Sequence, residues 1–253
     1  MGGVGVALVL VAAGVVAGAS GAAGGVTSLV SYPALLAVGV PALPANVANL
    51  VAGVACWPGS ALTSRHELAR TRRAWSRRGL PAAAAGTFAG SVLLINTSPG
   101  VFARLVPFLV AVGSLVLLAQ PWLTALVARR SGSTGGLAWP LVGLVSIYGG
   151  YFGAGSGIML LAVLLILLDD RLPEANAVKN MLLGVGALVS ATVLGLVGPV
   201  DWAVVVPLAA GMFGGSAAGP VITRRVPPPV VRWVVGLLGL AFAVVLAVRG
   251  SGA

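Results

Sequence analysis

The sequence predicts an all-α polytopic membrane protein built from two related halves, and three observations carry that reading. Hydrophobic residues make up 58% of the chain and charged residues only 8%, where an ordinary soluble domain carries about 25% charged. With a mean hydropathy of +1.07, the 253 residues hold too few charges to cover a water-facing surface. Apolar runs of near-spanning length follow one another along the whole chain. One order of features also occurs twice: a glycine-rich break, a short apolar stretch, then a proline and asparagines opening a long apolar run. Matching short, Gly/Pro-interrupted segments in two halves of a membrane protein point to a binding region between repeats.

The runs fall at 4–19, 25–39, 44–62, 80–95 and 101–119, then at 137–152, 156–168, 175–197, 202–219 and 231–248. The first has no Lys or Arg before it, so it lacks the n-region of a cleaved signal and is read as a span; only Ala17-Gly18-Ala19 resembles a cleavage site. Most runs approach the ~20 residues that cross a ~30 Å hydrocarbon core as helix. The runs 25–39 and 156–168 reach only about 20 Å at 1.5 Å per residue, enough for a half-helix or one arm of a re-entrant hairpin. Each follows a glycine cluster: Gly18, Gly21, Gly24 and Gly25 in one half, Gly149, Gly150, Gly153, Gly155 and Gly157 in the other. Single glycines serve close helix packing, but paired clusters at matching places read as helix breaks, because glycine accepts positive φ. Non-helical backbone at membrane depth survives only against protein or a wet cavity, so these breaks should line one. The halves are taken as 1–130, including a basic loop 65–79, and 131–253.

Charge sets the expected orientation. The net charge is +10, with six arginines inside 65–78 and further pairs at Arg129-Arg130 and Arg224-Arg225. Basic residues at run ends are what the positive-inside rule produces; a nucleic-acid partner is not expected, while contact of this loop with anionic lipid heads is. With every basic cluster in the cytoplasm, the first half begins outside and ends inside, and the second does the reverse. That is an inverted repeat of five plus five segments. The alternative fuses each glycine-broken pair into one span and gives eight. A single lysine among 15 basic residues, with abundant Ala, Gly and Val, is the usage of a GC-rich genome and points to a bacterial plasma membrane. A homo-oligomer stays open.

The two long-run openings carry the most chemistry. Pro44 and Pro173 suit a first helical turn, where the missing N–H costs nothing. Asn46 and Asn49 are three apart, and Asn176, Lys179 and Asn180 are spaced three and four apart, so each set shares a helical face. Amides beside free backbone N–H groups at a helix N-terminus make an anion site. Lys179 is the only lysine, and an ionisable residue inside an apolar helix is by default a functional candidate. Simpler roles stand beside these: helix caps for Asn46 and Asn176, cross-helix bonds for Asn49 and Asn180, snorkelling or pairing with Glu174 or Asp170 for Lys179. The candidate substrate-binding set is Gly24, Gly25, Thr27, Asn46 and Asn49 with Gly155, Ser156, Gly157, Asn176, Lys179 and Asn180. Ser28, Ser31, Tyr32, Tyr148 and Tyr151 are further hydroxyls near the breaks. Cys56, the one cysteine, has no partner for an internal disulfide and reads as a small buried hydrophobe.

Catalysis finds little to work with. His66 is the sole histidine, and the five acids (Glu67, Asp169, Asp170, Glu174 and Asp201) all sit at run ends. No metal spacing, nucleophile elbow or phosphate loop occurs. An enzyme, a metal and a cofactor are therefore not expected.

The stretch from Gly21 through Thr27, Ser28, Ser31, Tyr32 and Pro33, the segment Pro44–Asn49 and the triplet Pro58-Gly59-Ser60 resemble the TauE/SafE sulfite exporter family. So do the cluster from Gly149 to Gly157, the segment 175–180 and the turn at Gly198-Pro199-Val200-Asp201-Trp202. The resemblance covers nearly the whole chain. It implies a bacterial membrane transporter with two related halves that moves a small anion, sulfite or an organosulfonate among them, by alternating access. One departure matters: the first copy has Ala48 where the second has Lys179. Two other classes remain beside this one, a non-transporting membrane protein such as a receptor subunit or assembly factor, and an anion channel.

Overall fold

A computed structural model describes residues 3–58, 75–128, 138–167, 172–223 and 228–250. All regular structure among them is helical: α1 Gly3–Gly24, α2 Thr27–Ala37, α3 Ala42–Ala52, α4 Leu80–Ile95 and α5 Pro99–Leu118, then α6 Gln120–Ala128, α7 Ala138–Tyr151, α8 Ser156–Leu167, α9 Leu172–Val197, α10 Trp202–Thr223 and α11 Pro228–Gly250. Five helices are long and apolar enough to cross a membrane: Gly3–Gly21, Trp75–Ile95, Pro99–Leu118, Glu174–Val197 and Pro229–Val248. Their outward sides are apolar, with Leu8, Phe88, Phe108, Leu196 and Leu238 all exposed, as hydrocarbon requires and water would not tolerate in such numbers. The protein is an all-α, multi-pass membrane protein.

The breaks are narrower than the glycine clusters. Gly18, Gly21 and Gly24 lie inside α1, and only Gly25, at φ 69°, leaves the helix; in the second half Gly149 and Gly150 are helical, and Gly153 (φ 86°) and Gly155 (φ 77°) make the turn. At each break the chain folds back on itself. A Cβ on Gly21 would run into the Thr27 hydroxyl, and one on Gly149 would sit 3.6 Å from Ser156, separations that a continuous helix rising 1.5 Å per residue could not give. The hairpins α1–α2 and α7–α8 meet at their tips, where a Cβ on Gly25 would lie 3.0 Å from Gly157 Cα. Aromatic rings lock this junction. Tyr32 of α2 packs edge-on to Phe152 at 5.3 Å and 75°, and Phe102 of α5 meets Tyr151 at 5.9 Å.

Helix pairing crosses between the halves. The most extensive contact joins α1 to α10, and the next joins α4 to α7. Both are glycine seams. Gly14 and Gly18 of α1 lie against the backbone of Leu208, Met212 and Ser216, while Gly86 and Gly90 of α4 lie against Gly143, Ile147 and Tyr151. Small residues four apart let backbones approach closely where dispersion, not hydrophobicity, drives association. In both seams the numbers rise together, so each pair is parallel. Helix α9 also runs parallel to α4, since Gly79 meets Leu182, Gly186 meets Thr87 and Ser91 bonds Ser190 at 3.0 Å. Helices α5 and α11 are antiparallel: Gly236 meets Leu118 and Gly239 meets Ser114.

Two expectations are corrected in detail. Residues Trp75–Gly79, assigned to the basic loop, form a π-helical turn continuous with α4. Helix α6, Gln120–Ala128, follows the expected run 101–119 after a one-residue interruption at Ala119. Helix α3 begins at Ala42, behind an extended Pro41, and Pro44 falls inside its first turn, as the sequence suggests. His66, Glu67, Asp169, Asp170, Arg129-Arg130 and Arg224-Arg225 lie outside the described residues.

Candidate functional site

A cavity of about 150 Å³ opens where the two hairpin tips meet. Both halves build it. The first contributes Gly25, Thr27 and Ser28 from the α1–α2 tip, Asn49 and Cys56 from α3 and the turn after it, and Thr87 from α4. The second contributes Gly153 and Ser156 from the α7–α8 tip, Ser146 from α7, Asn180 and Ser190 from α9, and Ser216 from α10. No charged side chain is among these lining residues. Helices α2 and α8 both start at the cavity wall, so two positive dipole ends converge there, although Leu29 N, Ser156 N, Ile158 N and Met159 N already donate to carbonyls of the two turns. Such ends bind anions.

Local sequence explains why the polar groups reach the wall. Asn49 is buried, 2% exposed. Its Nδ2 donates to Ser28 Oγ at 3.0 Å, and its Oδ1 accepts from Ser31 Oγ, so both serines of α2 hold it. Ser156 donates to Gly153 O at 2.8 Å, tying the second tip. Gly184 leaves room for an indole: a Cβ there would run into the Trp57 ring, which lines the cavity beside it.

Of the sequence-derived candidates, Gly25, Thr27, Asn49, Ser156 and Asn180 line the cavity. Gly157 and Gly155 stand just behind it, against Gly25 and Gly113. Gly24 is the last residue of α1. Asn46 points elsewhere: fully buried, it donates from Nδ2 to Tyr151 O at 2.8 Å across the halves, and its Oδ1 finds no partner among the described residues. Lys179 is 1% exposed and donates to Asn176 Oδ1 at 2.7 Å, one turn earlier on α9. Neither Lys179 nor Asn176 is among the lining residues. Thr87, Ser146, Ser190, Ser216 and Trp57 were not singled out from sequence. Isolated hydroxyls in apolar helices give no pattern to read, and only the seams of α4 with α7 and of α1 with α10 turn them inward.

No curated protein and no solved structure matches the chain. The family described as Sulfite exporter TauE/SafE does match, over residues 6–246. That range takes in both hairpins, both seams and every residue lining the cavity, and the chain belongs to the TauE/SafE sulfite exporter family of membrane transporters.

Proposed function

We propose that this protein is a secondary transporter of a small anion, sulfite or an organosulfonate, which binds in the cavity between the halves and crosses by alternating access. One observation carries the reading: two helix N-termini, one from each half, converge on one cavity that no charged side chain among the described residues lines. A site of neutral dipoles can replace an anion's water while leaving the ion free to depart.

The halves, 1–130 and 131–253, are read as an inverted repeat. Exchanging them turns the α1–α10 seam into the α7–α4 seam and leaves the α5–α11 pair unchanged. The directions of packing support inversion, since α7, α9 and α4 run together while α1 runs with α10. The links between α3 and α4, α5 and α7, α8 and α9, and α10 and α11 then leave from one end of the bundle. By sequence those links carry Arg65, Arg70, Arg72, Arg73, Arg129, Arg130, Arg171, Arg224 and Arg225 against three acids, Glu67, Asp169 and Asp170, whereas the links at the other end carry one charge, Asp201. The basic end is assigned to the cytoplasm of a bacterial plasma membrane. Binding falls to Gly25, Thr27, Asn49, Ser156 and Asn180 with the positive dipole ends of α2 and α8, while Lys179 sets a positive field from behind the wall.

Proteoliposomes holding the purified chain test this. Sulfite uptake should saturate, and unlabelled sulfite or taurine inside the vesicles should accelerate it. Flux that neither saturates nor shows counterflow makes the protein a channel, and no flux for any anion tested removes the transport reading.

A further inference from the structure

We propose that the matched asparagines have divided roles: Asn180 contacts and selects the anion, and Asn49 is a positioning residue that holds Ser28 at the cavity wall. The inference rests on the cavity being the anion site. It starts from a difference between two residues that end the same motif. Asn49 has both ends of its amide engaged within its own half, by Ser28 and Ser31. Asn180 lines the same cavity, is only half-buried and has no hydrogen bond among the described residues.

The cause is legible in α8. Aligning the left-handed Gly25 with the left-handed Gly155 places Ile158 where the first half has Ser28, and Leu161 where it has Ser31. Both are buried. Helix α8 thus has no hydroxyl at the two positions from which α2 holds Asn49, and the Asn180 amide makes no hydrogen bond among the described residues. A polar group at a cavity wall without a partner is destabilising if dry, so water or a ligand must satisfy it. Its Nδ2 offers two N–H donors to an oxyanion oxygen, with none of the desolvation penalty a buried charge would bring. Asn49 acts one bond removed. Its Nδ2 occupies a lone pair of Ser28 Oγ, leaving the Ser28 hydroxyl hydrogen to donate toward the cavity, in a relay that polarises each successive bond.

The test measures Tm and sulfite affinity of the purified full chain, with sulfate and chloride as reference anions. Asn180→Ala should bind sulfite about tenfold more weakly, the loss of one hydrogen bond to a charged group, with the apo Tm unchanged or raised. It should also flatten the preference for sulfite over chloride. Asn180→Asp, which places a negative charge at the wall, should abolish the response to all three anions. Asn49→Ala should lower the apo Tm, because two buried bonds go, and Ser28→Ala should reproduce its affinity loss with a smaller loss of Tm. If Asn180→Ala keeps both affinity and preference while the parent chain binds sulfite, the division of roles is wrong and the cavity reading survives. If the parent chain responds to none of the anions, both are overturned.

Discussion

Among single residues, Lys179 separates what sequence could and could not say. Its rarity and its place in an apolar helix marked it as important, and it is buried as an intramembrane cation should be. Sequence spacing put it on one face with Asn176 and Asn180, and the bond to Asn176 at 2.7 Å bears out the first half of that. Its absence from the lining was not legible, because adjacent helical positions point about 100° apart and only packing decides which one meets the cavity. On the proposed reading Lys179 is charged, has one neutral partner among the described residues, and acts on the cavity through a medium of low dielectric. Lys179→Met should therefore weaken anion binding without a preference for shape, and more for divalent sulfate than for chloride, as titration calorimetry would read. The apo Tm should hold or rise, since replacing a buried charge by an apolar side chain of similar volume is often neutral or stabilising. Equal affinities in the variant and the parent would make Lys179 purely structural. Asn46 shows the complementary failure. Its position suggested a cap or a ligand contact, yet it spans the halves to Tyr151 O, a long-range partner that no local pattern encodes.

For helices and their seams, length and glycine content were readable, but the division of labour among glycines was not. Periodic apolar runs located all five long spans, and the two short runs emerged as the hairpin arms α2 and α8, of 11 and 12 residues. Most clustered glycines turned out to pack helices, and only Gly25, Gly153 and Gly155 turn the chain. The two uses look alike in sequence because both need a missing Cβ, for conformation in one case and for closeness in the other. A paired substitution separates them. Gly18→Leu drives a side chain into the backbone of Met212 and should destabilise the protein by about 1–3 kcal/mol, seen as a lower Tm in detergent. Gly214→Leu has nothing within 4 Å of a Cβ and should leave Tm unchanged, although both residues belong to the same pair of helices. Similar losses at both sites would mean that the α1–α10 seam is not what holds these helices together.

Across the whole molecule, the doubled motif order led us to expect two related halves with a binding region between them, and one cavity is lined by residues from both 1–130 and 131–253. The sequence did not reveal that the only cysteine belongs to that wall. Cys56 was read as a small buried hydrophobe; it lines the cavity in the turn after α3. Iodoacetamide at alkaline pH should modify it slowly in the folded protein, as a largely buried thiol reacts, and an anion that raises Tm should slow the modification further, as intact mass would record, with sulfite left out because it consumes the reagent. Modification at the same rate with and without such an anion would place binding elsewhere. The crossed seams also bear on how the protein is made. Helix α1 leaves the ribosome long before α10, the helix with which it shares its most extensive contact. Until then the glycine edge of α1 must wait in lipid, a stripe of exposed backbone with nothing to cover it. Neither half can settle alone, because each keeps its first helix for the other's fourth. A ribosome stalled before residue 202 would therefore release a chain that has every residue of its first half and still cannot finish it.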